Sequence, residues 1–184
     1  MTKHIPVREL ALTALFAALT AVGAYIRIPT PWSAFTLQVF FVFMAGILLG
    51  PKYGALSQGI YLLLGLIGIP VFIGGGGPSY VLQPTFGFLL SYIPAAAVTG
   101  ALCREAKYWR IAAACLAGLL VIYLIGLPYM ALIVNVYLGK GLTFGQILMS
   151  GMVIFLPYDA VKIVLTGVLG KALLPVLDRI RQKG

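Results

Sequence analysis

Long apolar runs, separated by short polar or proline- and glycine-rich breaks, dominate this sequence. Continuous runs of this length predict membrane-spanning helices, because about 20 helical residues cross the hydrocarbon and barrel strands would alternate instead. The predicted segments cover residues 10–26, 36–50, 55–69, 86–102, 111–136 and 157–174. The pattern therefore predicts an all-α integral membrane protein, a compact bundle of six transmembrane helices that forms one domain over residues 1–184.

The stretch 143–173 is too long for one simple span. Proline suits the first turn of a helix, where its missing N–H is not needed, so we expect the last span to begin at Pro157. Residues 143–155 are then predicted to form a short interfacial or re-entrant helix. One long kinked helix is the alternative.

Composition supports the membrane assignment and charge supplies an orientation. The chain of 184 residues is 61% hydrophobic and 9% charged, with a formal net charge of +9. With six spans, ten basic residues lie on the side of the two termini: Lys3, Arg8, Lys52, Arg104, Lys107, Arg110, Lys171, Arg179, Arg181 and Lys183. Arg27 and Lys140 lie on the other side. Positive residues favour the cytoplasm, so both termini are predicted to be cytoplasmic, and the charge is expected to serve topology and lipid contact rather than nucleic acid.

The last span carries the most informative polar residues. In "FLPYDAVK", Asp159 and Lys162 are three residues apart and share one helix face. Charged groups at membrane depth are costly and normally face the bundle interior or a water-filled cavity. The pair is therefore either a structural ion pair that fixes the helix start, or the polar floor of an outward-facing pocket.

A charge-free, glycine-rich connection precedes the fourth segment. In "PVFIGGGGPSYVLQPTF", the glycines Gly74, Gly75, Gly76 and Gly77 permit close approach of the backbone to a ligand, although a slack linker is the alternative. Gln83 follows, as a pocket residue or a helix cap. Trp32 and Phe35, in the loop after the first segment, are either interfacial anchors or part of a lid.

The first segment presents alanines at helical spacing. Ala14 and Ala18, and likewise Ala17 and Ala21, are four residues apart, and small residues at this spacing let two membrane helices approach closely. They could contact a partner protein or pack within the chain.

Enzyme chemistry finds little support in the sequence. It contains no phosphate-binding G-x-x-x-x-G-K-[ST] loop, no histidine pair, no carboxylate cluster for a metal and no nucleophile with a positioned base. We expect neither catalysis nor a cofactor or metal.

The combination of "GLIGIPVFIGGGGPSYVLQPTFGF", "FLPYDAVK", six spans and an alanine-rich first helix resembles the BioY family over nearly the whole chain. The resemblance implies a substrate-binding subunit of an energy-coupling-factor transporter, which captures biotin outside the cell. It also implies partners, namely a transmembrane coupling subunit and two ATPase subunits, and a location in the plasma membrane of a prokaryote. Ala14, Ala17, Ala18 and Ala21 would form the docking surface.

The resemblance also assigns roles in biotin binding. Asp159 would accept from the ureido N–H groups and Lys162 would donate to the ureido oxygen. Phe72, Tyr80 and Phe86 would pack on the apolar ring, and the backbone of the four glycines would close over it. The partner of the biotin carboxylate stays open, and the candidates are Arg27, Lys140, Ser79 and Tyr80.

Two other functions are compatible with the sequence. A stand-alone carrier could use Asp159 to bind a coupling proton. A membrane assembly factor without transport activity could use the alanine face for a partner and the Asp159–Lys162 pair as a structural staple.

Overall fold

The computed structural model describes residues 6–29, 34–103 and 105–182. The helices of this part are α1 (Val7–Tyr25), α2 (Gln38–Leu66), α3 (Phe86–Leu102), α4 (Tyr108–Leu132), α5 (Phe144–Leu148) and α6 (Leu156–Gln182). Two short antiparallel strands, β1 (Arg27–Pro29) and β2 (Ala34–Thr36), join α1 to α2. The mostly helical class is as predicted. The hairpin was not predicted, because its prolines indicated only a loop.

Helix α2 folds back on itself in the middle. Gly50 has a φ of 77° and Pro51 follows it, so regular helix stops and restarts there. Gln38 donates to the Tyr61 hydroxyl at 2.6 Å, whereas 23 residues of straight helix would separate them by about 35 Å. Residues 38–49 and 51–66 therefore form a helical hairpin, in agreement with the two segments that the sequence predicts here.

Glycines allow the central helices to pack closely. A β-carbon on Gly46 of α2 would lie 2.5 Å from the Ala96 carbonyl oxygen of α3, and one on Gly100 would lie 2.5 Å from the Gly46 carbonyl oxygen. Phe43 and Tyr61 of α2 are fully buried in the adjoining core. Small residues thus set the helix spacing, as is typical of membrane bundles.

The first half of helix α6 buries its polar side chains and exposes most of its apolar ones. Asp159, Lys162 and Thr166 are buried, whereas Val161 and Val168 are exposed. A helix facing water would have the reverse arrangement, because charged groups are costly to bury. This pattern fits a helix whose outer face contacts lipid.

The segment before α6 is nearly helical throughout. Thr143 caps α5 through a capping box with Gln146, and a π-helical turn (Met149–Val153) continues it almost to Leu156. The arrangement lies between the two alternatives for residues 143–155, since a short helix exists but only a turn separates it from α6. Helix α6 begins one residue before Pro157 and extends to Gln182, beyond the predicted end at residue 174.

Within the described residues, four helical stretches are long and apolar enough to cross a membrane. They are Val7–Tyr25, Gln38–Leu66, Tyr108–Tyr137 and Phe144–Leu177, and α3 is a shorter apolar helix. The Arg8 side chain near the start of α1 donates to the Ile180 carbonyl near the end of α6 at 2.9 Å. The two ends of the described chain therefore lie at the same end of the bundle.

Candidate functional site

A cavity of about 660 Å³ lies among α2, α3, α4, α6 and the segment before α6. Its wall is largely apolar, with contributions from Val39, Leu89, Leu119, Ile122 and Met149. This volume falls in the range of pockets for small molecules, which combine apolar walls with a few placed polar groups.

Three polar side chains form what we call the inner end of the cavity: Asp159, Lys162 and Tyr123. The Lys162 ammonium donates to Asp159 Oδ1 at 2.8 Å, and the Tyr123 hydroxyl donates to Asp159 Oδ2 at 2.5 Å. All three are buried, with exposed fractions of 7%, 4% and 8% for Lys162, Asp159 and Tyr123. The carboxylate thus has a hydrogen-bond donor on each oxygen.

The start of α6 explains the position of this carboxylate. Asp159 lies in the first turn, where the partial positive charge of the helix N-terminus favours an anion. Lys162 follows one turn later on the same face, so the ion pair forms within the helix. The predicted ion pair therefore exists, and both of its residues also line a cavity. A structural ion pair and a polar surface of a pocket are thus compatible with each other here.

A second polar chain links the cavity wall to the glycine-rich loop. Gln38, 1% exposed, accepts from the Thr36 hydroxyl at 3.1 Å and donates to the Tyr61 hydroxyl. Tyr61 in turn donates to the Val71 carbonyl at 3.3 Å. Gln38 and Thr36 line the cavity, so the position of the loop is connected to the wall through buried hydrogen bonds.

The four glycines lie behind the cavity rather than in its wall. Phe72 and Gly75 exchange two backbone hydrogen bonds, and a β-carbon on Gly76 would lie 2.4 Å from the Ile69 carbonyl oxygen. Gly77 donates its N–H to the Gly65 carbonyl at 2.7 Å. The loop is therefore a tight fold against the end of α2, not a slack linker, and among its residues Ile73 lines the cavity while Gly74, Gly75, Gly76 and Gly77 do not.

The three aromatic residues predicted for the ligand ring separate in the structure. Tyr80 lines the cavity, whereas Phe72 and Phe86 are buried beside it and do not. Phe72 lies against Gly65, where a β-carbon would come within 1.9 Å of its ring, and its ring centroid is 4.6 Å from that of Tyr80. Phe72 thus supports Tyr80 from behind.

Exposed polar residues form what we call the rim of the cavity: Gln83, Lys140 and Gln146. The predicted Gln83 is therefore in the wall. The β-hairpin approaches the same region, because the Phe35 ring stacks on Tyr158 at a centroid distance of 3.8 Å and meets Phe155 edge-on at 4.9 Å. Trp32, the other aromatic residue predicted in this loop, lies outside the described residues.

The alanines of α1 do not share one environment. Ala14 and Ala18 are exposed, Ala21 is half-buried and Ala17 is 3% exposed. Ala17 packs inside the bundle, so in this conformation it offers no surface to a partner. The predicted docking face is reduced to Ala14 and Ala18, with Ala21 at its edge.

Tyr123, Tyr92 and Gln38 line the cavity but were not singled out from the sequence. A signal existed for Tyr123, since a buried tyrosine in an apolar helix needs a partner for its hydroxyl. Its partner Asp159 is 36 residues away, and the local pattern gives no information about that contact. Among the residues that the structure describes, no group of three His, Cys, Asp or Glu could hold a metal ion.

Comparison with known proteins identifies relatives over the whole chain. The model of the BioY family matches residues 1–179. The probable biotin transporter BioY of Lysinibacillus sphaericus is 39% identical over 98% of this chain and 94% of its own. The biotin transporter BioY of Thermotoga maritima is 38% identical over 88% of this chain and 93% of its own.

A solved structure is similar as well. The crystal structure of the S-component for biotin from an ECF-type ABC transporter is 27% identical, with a TM-score of 0.80. The match covers 100% of this chain and 96% of that one.

Proposed function

Because the chain belongs to the BioY family, we propose that it is the biotin-capture subunit of an energy-coupling-factor transporter. It is a transport component and not an enzyme. The observation that carries the proposal is the buried Asp159–Lys162–Tyr123 cluster at the inner end of a largely apolar cavity. Biotin presents matching chemistry, with a polar ureido group on an apolar ring.

The ureido group binds at the inner end. Asp159 accepts from a ureido N–H and Lys162 donates to the ureido oxygen, while Tyr123 keeps the carboxylate in place. A ligand that completes this set gains charge-assisted hydrogen bonds, and an analogue without the ureido group leaves buried polar groups unpaired. Tyr80 and the apolar wall contact the rings, and Gln83 contacts the ligand near the rim.

Phe72, Phe86 and the four glycines act indirectly in this proposal. Their packing holds Tyr80 and Ile73 at the cavity, so substitutions there change the shape of the site. Direct contact with biotin by the backbone of Gly74, Gly75, Gly76 or Gly77 requires a rearrangement of the loop on binding.

The chain crosses the plasma membrane of a prokaryote six times as a single domain, with both termini in the cytoplasm. Three observations support this topology: α2 folds back as a helical hairpin, Arg8 contacts Ile180, and basic residues cluster on the side of the termini. Arg27 and Lys140 then mark the outer side, where the cavity opens.

ATP-driven delivery of biotin requires partners, because the sequence has no phosphate-binding loop of its own. A transmembrane coupling subunit contacts the exposed face of α1 at Ala14 and Ala18, and two ATPase subunits supply the energy. No observation favours a stand-alone carrier, since both oxygens of Asp159 already accept hydrogen bonds.

Calorimetric titration of the purified protein with biotin, with thiamine and riboflavin as controls, tests the proposal. We expect tight, selective, one-to-one binding by this chain alone. Absence of binding by folded protein would remove biotin as the ligand. Uptake that survives loss of the ATPases but is abolished by an uncoupler would instead support the proton-coupled carrier.

A further inference from the structure

Two lysines contribute to the described wall of the cavity, and only one of them is already paired. Lys162 forms its ion pair with Asp159 at the inner end. Lys140 is exposed at the rim. It forms no ion pair with any residue in the ranges 6–29, 34–103 and 105–182. The cavity therefore has a cation near its opening whose charge the surrounding chain does not neutralise.

The backbone around Lys140 is held in place although its side chain is exposed. Asn135 donates to the Leu142 carbonyl at 2.9 Å and accepts from the Leu142 N–H at 2.7 Å, which closes a short loop. The Lys140 N–H donates to the Val134 carbonyl at 3.1 Å. Gly139 and Gly141 flank Lys140 with φ of 63° and 60°, values that favour glycine. The loop thus fixes where the ammonium group can reach.

The other residues that were considered as partners for the ligand carboxylate are less suitable than Lys140. The Arg27 side chain donates to the Ile73 carbonyl at 3.2 Å, and Arg27 is not part of the cavity wall. Ser79 is exposed and is also outside the wall. Tyr80 lines the cavity, but its hydroxyl is neutral and gives a carboxylate a single weaker hydrogen bond.

We propose that Lys140 binds the carboxylate of the substrate at the rim, and so selects anionic over neutral tails. The inference rests on the proposed function, which places the ureido ring at the inner end and leaves the acid tail to extend toward the opening. A buried cation and an exposed cation that line one largely apolar cavity suit an elongated molecule with a polar head and an anionic tail. Lys140 is then a specificity-determining residue, and Asn135 is a positioning residue for its loop.

The test compares biotin with biotinamide, which has the same rings and chain but a neutral tail, by calorimetric titration of the full-length protein. We expect the Lys140→Met variant to bind biotin about two- to fivefold more weakly, because an exposed ion pair contributes at most about 1 kcal/mol. Its affinity for biotinamide is expected to equal that of the parent protein, which also shows that the variant is folded. Lys140→Arg is expected to restore the preference for biotin.

Lys52→Met is the matched control, because Lys52 is exposed on α2 and does not line the cavity. The preference of the parent protein for biotin over biotinamide is expected to decline as salt is raised, because an exposed pair is screened. An unchanged preference in Lys140→Met would overturn the role of Lys140 while leaving biotin capture intact. Failure of the parent protein to bind biotin would overturn both proposals.

Discussion

The polar residues at the inner end of the cavity and those at its rim differ in burial and in hydrogen bonding. At the inner end, Asp159, Lys162 and Tyr123 are buried and already paired with each other. At the rim, Lys140 and Gln83 are exposed to solvent. One cavity thus combines a preorganised polar site with a solvated one.

The difference follows from the cost of burying charge. An unpaired charge inside the bundle is strongly unfavourable, so the inner cluster must satisfy itself before any ligand arrives. A charge at the rim is satisfied by water and needs no protein partner. Substitutions at the inner end should therefore lower biotin affinity strongly. Substitutions at the rim should have smaller effects, on selectivity between ligands or on the rates of binding and release.

The largest effect is expected for Asp159→Ala. This change leaves the buried Lys162 ammonium unpaired and removes the acceptor for the ureido group, so biotin affinity should fall by at least about 2 kcal/mol, or about 30-fold in Kd. Calorimetric titration measures the change. The Asp159→Asn, Lys162→Met double variant removes both charges at similar volume, and unchanged binding by it would show that the pair is only structural.

Tyr123→Phe is expected to have an intermediate effect. It removes one donor to Asp159 while keeping the ring, so biotin Kd should rise by about tenfold, the equivalent of about 1.4 kcal/mol. Tyr108→Phe is the control, since Tyr108 is on the same helix but does not line the cavity. Equal affinities for the two variants would mean that Tyr123 does not hold the carboxylate for binding.

Phe35→Ala tests the contact of the hairpin with the start of α6. Losing the stack on Tyr158 and the edge contact with Phe155 should weaken the packing of the hairpin on this region by about 1 kcal/mol, which corresponds to roughly a fivefold faster release of biotin if that packing retains the ligand. Chase of bound radiolabelled biotin measures the rate. Phe144→Ala is the control, because this side chain is 74% exposed, and it should leave the release rate unchanged. An unchanged release rate in Phe35→Ala would mean that the hairpin plays no part in retaining biotin.

The smallest effect on binding is expected outside the cavity, at Ala18. Ala18→Leu should leave biotin affinity unchanged but stop uptake in cells that contain the coupling subunit and ATPases, because the larger side chain prevents close helix approach. Ala113→Leu is the matched control at an exposed alanine of α4. Loss of binding and uptake together in Ala18→Leu would indicate internal packing instead.

The helical elements were largely predictable because hydropathy and backbone chemistry act locally. Residues 86–102 were predicted as a helix and α3 has these bounds. The division of α2 followed from the predicted turn at "GPKYG", where Gly50 has a positive φ and Pro51 opens the second half of the helix. The hairpin was missed, since three-residue strands carry too little pattern to stand out between prolines.

The site was only partly predictable from the sequence. The charged residues could be recognised locally, whereas the roles of the aromatic residues depend on tertiary packing. Asp159 and Lys162 stand out because charged residues inside an apolar helix are costly and normally face the bundle interior or a cavity. Phe72 and Tyr80 look alike in the sequence, yet one packs behind the cavity and the other lines it. That choice depends on Gly65 of α2, which makes room for the Phe72 ring.

The sequence by itself determined the apolar spans, the asymmetry of basic residues and the pairing of Asp159 with Lys162, because each depends on composition or on neighbours within one turn. Only the tertiary structure decided that Tyr123 completes the inner end, that Lys140 lies at the rim and that Ala17 turns inward. These contacts join helices that are distant in sequence. Side-chain shape and close helix packing determine these contacts, and the local periodicity of the sequence does not predict them.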